Sequence, residues 1–335
     1  MYLTEYQRNF ELEKTYWWFI GVRRMVKTLI ALCNPRRGPL KILDIGCGTG
    51  ALMDDLTAQG HNVWGLDISQ EALKFCRMRG HKKLYLADAA KLPFADHCFD
   101  LVTAIGLIEH LDNDEIFLKE VARVLRPQAY FVMLTSSFPW LWSMHDVANE
   151  HRRRYYLSEI ERLFAASHFQ IVRLSHMNFF AFPFLAVTLI LHRLIYGLSP
   201  ERSQRILPVP PKPMNFILTE ALALEASLMK WVRLPWGVSM IGAFRKRSSA
   251  SLDATRLASA SWRSAGDISS TPRLAQLPKS TSGSVPPSPP VGRRVPGSAS
   301  SWPATATSTT SNISTPTAGP RTMIREGPRH RWSPS

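Results

Sequence analysis

The feature that most constrains this chain is an apolar run, Lys41 to Ile45, that ends in a glycine-rich turn, Gly46-Cys47-Gly48-Thr49-Gly50, and opens at once into a helical pattern. A strand that turns on glycines into a helix begins a βαβ unit. Glycine is needed because the turn is tight and a ligand must approach the backbone closely, while the helix start offers unpaired N–H groups. The alternation continues with strands expected at Asn62 to Asp67, Lys83 to Ala87, Phe99 to Ile105, Tyr130 to Thr135, Phe169 to Leu174 and Val238 to Arg245. Between them lie helices from Gly50 to Gln59, from Ser69 to Arg79 with Ser69 as N-cap, from Asp114 to Leu125 and from Ser158 to Ala166. Asp112 with Glu115, and Ser158 with Glu161, have capping-box spacing, and Pro127 closes the third helix. The fold expected is α/β with a parallel sheet.

On spacing alone Gly46, Gly48 and Ala51 also satisfy the dinucleotide pattern G-x-G-x-x-A. Two carboxylates narrow the reading. Asp67 ends the second expected strand, where it can accept hydrogen bonds from both hydroxyls of a ribose, and Asp88 ends the third. Ligands of open parallel sheets bind at the carboxyl ends of the strands, so Asp44, Asp67 and Asp88 converge on one crevice. Helix capping by each aspartate separately leaves the glycine run unexplained.

With these residues the chain resembles the class I S-adenosylmethionine-dependent methyltransferases over about residues 16–246. The resemblance is most specific in ILDIGCGTG, in GLDIS (Gly65 to Ser69), in ADAAKLPFADHCFDLV (Ala87 to Val102) and in the IEHL that follows. It implies a doubly wound, seven-stranded, mostly parallel sheet whose last strand is antiparallel, with S-adenosylmethionine as cofactor. In this family an acidic residue at the place of Asp44 faces the methionine amino group, whereas dinucleotide folds usually carry an apolar residue there. Gly46, Gly48 and Gly50 would form the loop against the donor, Asp67 would hold the ribose, Ile68 would pack on adenine, and Asp88 with the Ala89 backbone would read the adenine amino group. Ile105, at the end of the fourth strand, would complete the cofactor site.

The sulfonium methyl is already activated, so the protein has mainly to align a nucleophile and remove a proton. After the fourth strand, Glu109 and His110 place a carboxylate and an imidazole at the crevice, and His110 is a candidate general base for a hydroxyl acceptor. The alternative is that the pair caps and orients the loop. The Asn/Asp-Pro-Pro-aromatic signature of base methylation is absent from Ile105-Gly106-Leu107-Ile108, so specific nucleic-acid substrates are not expected, nor is a metal indicated at Glu109, His110 and Asp112. The run from His145 to Tyr156 mixes His, Arg and Tyr, which bind anionic or phenolic groups; His145, His151, Arg154 and Tyr155 are its candidate substrate contacts. Tyr16-Trp17-Trp18-Phe19 is either a lid across the cofactor or an aromatic core stripe.

An apolar insertion, residues 177–236, precedes the last strand. Phe179 to Leu191 is nearly uninterrupted, and Ile217, Ala221, Leu224, Leu228 and Trp231 repeat at helical spacing. A spanning helix needs about 20 apolar residues. The insertion is therefore read either as helices capping the core or as a surface touching a membrane. The acceptor expected is a small molecule or lipid, polar at one end and apolar at the other, with O-methylation preferred over C-methylation. A nicotinamide-dependent oxidoreductase and a cofactor-binding membrane-surface protein without turnover are the alternatives.

Composition divides the 335 residues in two. Residues 1–247, the expected methyltransferase domain, hold 31 basic and 23 acidic residues; residues 248–335 hold 10 and 3. That second segment has 20 Ser, 10 Thr and 12 Pro among 88 residues, too little apolar surface to offset chain entropy, and is expected to be a disordered basic tail with a further chance of touching an anionic membrane. Four dispersed cysteines with no CxxC pair fit a reducing compartment, and the charged start, Met1 to Lys14, does not look like a secretory signal. A cytoplasmic location, peripheral to a membrane at most, is expected.

Overall fold

The computed structural model describes residues 3–34, 38–196 and 209–248, all within the compact unit Met1–Ser270. The expected tail lies, from residue 249 on, outside the described residues, as do residues 197–208 of the apolar insertion.

Two helices, α1 (Leu3–Leu12) and α2 (Trp17–Cys33), precede the sheet. Then come β1 (Lys41–Ile45), α3 (Ala51–Ala58), β2 (Asn62–Asp67), α4 (Gln70–Met78), β3 (Leu84–Leu86), β4 (Phe99–Ile105), α5 (Asp114–Val124) and β5 (Leu125–Ser136). The chain continues through α6 (Met144–Ala148), α7 (Leu157–Ala165), β6 (Phe169–Met177), α8 (Phe182–Tyr196), α9 (Lys212–Leu228) and β7 (Ser239–Lys246). The sheet has seven strands in the order β3-β2-β1-β4-β5-β7-β6. Neighbours from β3 to β5 pair in parallel, and β7 runs antiparallel between β5 and β6. This is the doubly wound architecture expected.

Each face of the sheet has its own apolar layer. On one, Met25, Val26 and Leu29 of α2, Met53 and Leu56 of α3, Leu73 and Cys76 of α4, and Leu222 and Ala226 of α9 pack together. On the other, Phe117, Leu118 and Val121 of α5 meet Ile160 and Phe164 of α7. The α5 and α7 layer closes around Phe131, with the Phe164 and Phe244 rings stacked at 3.6 Å.

Three local expectations change. Asn113, not Asp112, caps α5, its Oδ1 accepting from the Ile116 N–H at 3.0 Å. The helix starts one residue later than the Asp112–Glu115 spacing required, and Asp112 pairs with Arg152 instead. At α7 the start is earlier: Tyr156 is the N-cap, and the Glu159 carboxylate accepts from its N–H at 2.6 Å, which puts Ser158 inside the helix. Pro127 does not follow a helix end by a loop, because β5 begins already at Leu125. Pairing jumps from Phe99–Leu125 to Leu101–Tyr130, so the proline sits in a bulge where its missing N–H costs no ladder bond.

The insertion packs its inner faces on this core. Leu222 of α9 nests against Gly21 of α2, and Ala186 and Leu189 of α8 pack on Leu141. The fully buried Glu225 carboxylate accepts from the N–H groups of Asn178 at 2.7 Å and Phe180 at 3.0 Å, tying α9 to the entry of the insertion. Burial raises the Glu225 carboxyl above its ordinary range against those backbone donors.

A Cβ at Gly21 would stand 2.1 Å from Leu222 Cδ1 and 2.7 Å from Leu222 Cβ, too close for a rotamer change to clear. Gly→Ala inside a helix normally stabilises by about 0.5–1 kcal/mol. Here the overlap should reverse the sign, and Gly21→Ala is expected to destabilise by about 1–3 kcal/mol, read from the urea midpoint.

Candidate active site

The carboxyl ends of β1, β2 and β4 open into a cavity of about 670 Å³. Gly46 and Cys47 both donate backbone N–H groups to the Leu66 carbonyl, at 2.7 and 3.1 Å, which folds the loop after β1 over the end of β2. Gly48 has φ +53°, and a Cβ there would meet no atom within 4 Å, so the bare backbone faces open space in the cavity wall. Gly50 differs. It caps α3 in the left-handed region, its missing Cβ faces Cys76 Sγ at 3.0 Å, and it does not line the cavity. Gly50 was expected in the loop against the donor; the structure places it outside the cavity lining, packed on Cys76.

Asp44, Asp67, Ile68, Asp88, Ala89 and Ile105 all line the same cavity as Gly46 and Gly48. Asp67 is held rigidly: Oδ2 accepts from Gly48 N–H at 3.0 Å and Oδ1 from Ser69 N–H at 2.8 Å. Burial raises its carboxyl, opposed by those two backbone bonds. Asp88 Oδ1 accepts from Ala90 N–H at 2.8 Å. The Ile68 side chain, 75% exposed, offers a bare apolar platform beside Asp67. Asp44, at 3% exposure, accepts from the Thr103 hydroxyl at 2.7 Å on one oxygen, and its other oxygen has no partner among the described residues. Burial, with the nearby charges of Asp67 and Glu13, pushes its carboxyl up to about 7, only partly offset by Thr103. Such a group accepts a cation readily, because an ammonium restores the charge that burial disfavours.

Residues before β1 close the site. Tyr6 and Asn9 of α1, then Glu13, Tyr16, Trp17 and Trp18, line the cavity, and Trp17 is also in the core. The aromatic run thus both lines the cavity and joins the core. Arg79, at the end of α4, ties this cover down. Its Nε donates to the Thr49 carbonyl at 2.7 Å, Nη1 to Asp54 at 2.7 Å and Nη2 to Glu13 at 2.8 Å, with its guanidinium 4.5 Å from the Phe10 ring centre. The sequence showed only a polar start to the chain; the signal for this cover was the aromatic residues Tyr6 and Phe10 four apart.

Glu109 and His110 sit on a single turn of 3-10 helix after β4 and line the cavity. They do not form a hydrogen-bonded pair. Glu109 is buried, with one oxygen accepting from the Thr135 hydroxyl at 2.8 Å and the other from the Ser136 hydroxyl at 3.2 Å. The His110 ring is perpendicular to that of His151, centroids 4.8 Å apart. Burial and the neighbouring His151 lower its pKa.

The charged segment is largely paired within the protein. Arg152 binds Asp112, Arg153 donates to the Leu111 carbonyl at 2.7 Å, and Arg154 donates to Asp146 at 2.7 Å and the Ser137 carbonyl at 3.0 Å. His145, His151 and Arg154 line the cavity. Tyr155, also expected to touch substrate, does not: it is buried, its hydroxyl lies 3.1 Å from both oxygens of Asp114, and burial raises its pKa. The sequence reading passed over Asp146, the centre of this segment, and Leu185 and Leu189 of α8, which add an apolar wall to the cavity. Among the described residues no group of three His, Cys, Asp or Glu side chains is arranged to hold a metal ion.

Arg79 is 4% exposed and its loss removes the direct ion pair of Glu13. Arg79→Met is expected to destabilise by about 3–5 kcal/mol and to speed amide exchange in α1 ahead of the sheet. Unchanged exchange in α1 would mean that its apolar contacts alone hold the cover.

Comparison with known proteins places residues 43–133 in a family described as a methyltransferase domain. The chain is 33% identical over 175 residues to a demethylmenaquinone methyltransferase of Lactiplantibacillus plantarum, covering 43% of this chain and 73% of that protein. It is 31% identical over 144 residues to a fatty-acid O-methyltransferase of Mycolicibacterium smegmatis, covering 42% and 47%. With a ubiquinone/menaquinone biosynthesis C-methyltransferase of Paraburkholderia phytofirmans it shares 35% over 138 residues, covering 38% and 56%. The match to these last two spans about half of their length.

Proposed function

Because the chain belongs to the S-adenosylmethionine-dependent methyltransferase family, we propose that it transfers a methyl group from S-adenosylmethionine to a hydroxyl of a small, lipid-like acceptor. The single observation that carries the cofactor half is the buried Asp44 carboxylate, one oxygen unpaired, at the mouth of a glycine loop with Asp67 and the bare Ile68 platform beside it. That set fits the donor by its chemistry: a carboxylate for an ammonium, a carboxylate for a ribose, an apolar face for a purine. When bound, the donor supplies a methyl group already activated on its sulfonium. The protein's residues then have to align the acceptor, exclude water and take a proton. An acid at Asp44 does not suit the pyrophosphate of a nicotinamide cofactor, so family and site disfavour the oxidoreductase reading together.

The acceptor half rests on the other walls of the cavity. Trp18, Phe19, Leu107, Leu185, Leu189 and Val238 are apolar, while Glu109, His110, His145 and His151 bring polar groups to the same space. A molecule with an apolar body and one ionisable or hydroxylated end matches both. The outer side of the insertion supports a lipid source. Phe184, Leu194 and Trp231 are 65%, 74% and 83% exposed, and Arg193, Lys212 and Lys230 stand in the same segment. Its exposed acid among the described residues, Glu220, is already paired with Arg24. Such a face suits shallow contact with an anionic bilayer. Among the described residues no helix is long and apolar enough to cross a membrane.

The function is tested by incubating the protein with carbon-13 methyl donor and fractionated lipid, small-molecule and protein extracts. Label in the lipid fraction at a methyl ether or ester is expected; a carbon-bound methyl would make it a C-methyltransferase, and label confined to protein would overturn the acceptor class. Vesicles of phosphatidylglycerol are expected to sediment it more than neutral ones, with the difference lost at high salt.

The raised Asp44 carboxyl gives a second test. An ammonium favours the carboxylate, so binding near neutral pH must expel a proton from Asp44. Donor affinity should rise by about tenfold per pH unit below the carboxyl's value of about 7 and level off above it, until the donor's own amino group deprotonates near about 8. Asp44→Asn should weaken binding and remove the acidic limb in calorimetry. A limb that survives the substitution would assign it elsewhere.

A further inference from the structure

We infer that His151, oriented by the Asp146 carboxylate, is the general base that takes the acceptor's hydroxyl proton, and that Asp146 is its positioning residue. The inference rests on the methyl-transfer reading and replaces the expected base, His110.

The geometry is that of a built anchor. Asp146 is completely buried and accepts four hydrogen bonds: His151 Nδ1 at 2.9 Å and Arg154 Nε at 2.7 Å on Oδ1, with Ser143 N–H at 2.8 Å and the Ser143 hydroxyl at 3.2 Å on Oδ2. Burial alone would raise this carboxyl, yet His151 and Arg154 hold it well below the ordinary range, so it stays an acceptor. The backbone brings His151 to it. Glu150 adopts φ +57°, a left-handed turn directly after α6, and the His151 N–H then donates back to the Asp146 carbonyl at 2.9 Å. With Nδ1–H tied to a carboxylate, the tautomer is fixed and Nε2 keeps its lone pair. His151 lines the cavity, and Nε2 has no partner among the described residues.

The neighbouring imidazoles lack this arrangement. His110 has a backbone contact with Glu150 in place of a carboxylate, and the adjacent Glu109 is taken up by Thr135 and Ser136. His145 is half-buried, its pKa lowered to about 4 by burial in spite of Asp146, with Asn149 against its ring. His145 is thereby kept neutral and adds no charge beside His151.

In the step assigned to it, the acceptor's O–H bond breaks as Nε2–H forms, and the oxygen's electron pair makes the new bond to the methyl carbon. The sulfur keeps the pair of the broken C–S bond. A sulfonium charge is lost and an imidazolium charge gained, next to the Asp146 carboxylate that stabilises it.

Three measurements decide it. Nitrogen-15 NMR of histidine-labelled protein is expected to show His151 protonated at Nδ1, a readout independent of turnover; the opposite tautomer overturns the assignment. His151→Gln is expected to lower kcat by about 100-fold or more with KM and donor affinity changed less than about threefold, while His110→Gln loses under about tenfold. His151→Ala leaves Asp146 and Arg154 in place, and added imidazole should restore turnover there but not in His110→Ala. Wild-type turnover in His151→Gln, or rescue at His110 alone, sinks the dyad and leaves methyl transfer standing. A wild-type protein that methylates nothing overturns both.

Discussion

Everything in this site follows from where the sheet changes direction. The helices after β1 and β2 pack on one face and the helix after β4 on the other, although β1 and β4 are neighbours. Their outgoing loops must therefore separate, and in the gap between them backbone N–H groups and strand-end side chains face a space. The glycine loop enters it from β1, Asp67 from β2 and the Glu109–His110 turn from β4. Tight hydrogen bonding of the loop to Leu66, and of Gly48 to Asp67, makes this wall of the cavity one rigid piece.

The gathering of the strand-end residues on one cavity was legible in the sequence because its logic is local. A strand, its terminal aspartate and the next helix start lie within a few residues, and both spacing and residue type are fixed by geometry that any chain must obey. The same holds for the strands, whose expected and observed limits agree at β1, β2 and β4; β5 and β6 are longer than expected, β3 is shorter by a residue at each end, and β7 is shifted by one. The shifted caps at Asn113 and Tyr156 show where local reading fails. Several Asx, Ser and Glu residues close together satisfy the same spacing in different registers, and tertiary partners choose: Arg152 takes Asp112, so Asn113 is left to cap α5.

The acceptor wall was legible only as composition. His145 to Tyr156 reads as a run of substrate-binding residue types, but its arginines turn inward or along the loop after β4, to Asp112, Asp114 and Asp146. Two of these partners, Asp112 and Asp114, are about 40 residues away in the chain. Even the short-range pair His151 and Asp146 needs a left-handed φ at Glu150, a conformation that a glutamate's identity does not announce. A sequence reader therefore sees a second carboxylate and imidazole, Glu109 and His110, side by side and favours them. Adjacency along a helical turn sends their side chains different ways, whereas five residues and one reversed turn bring Asp146 and His151 together.

Helix α8 joins these halves. Its Leu185 and Leu189 line the cavity, and the turns between present Phe184, Val187 and Leu191 outward, so one apolar segment is both wall and surface. A helix apolar on all sides is expected to be buried or to meet lipid, and α8 is buried on one side only. Because residues four apart share a face, the spacing that puts Leu185 and Leu189 inside also fixes the outward set. Substituting the outer residues with polar ones therefore leaves the cavity wall intact, and the two contributions of the insertion, acceptor packing and surface contact, are separable on a single helix.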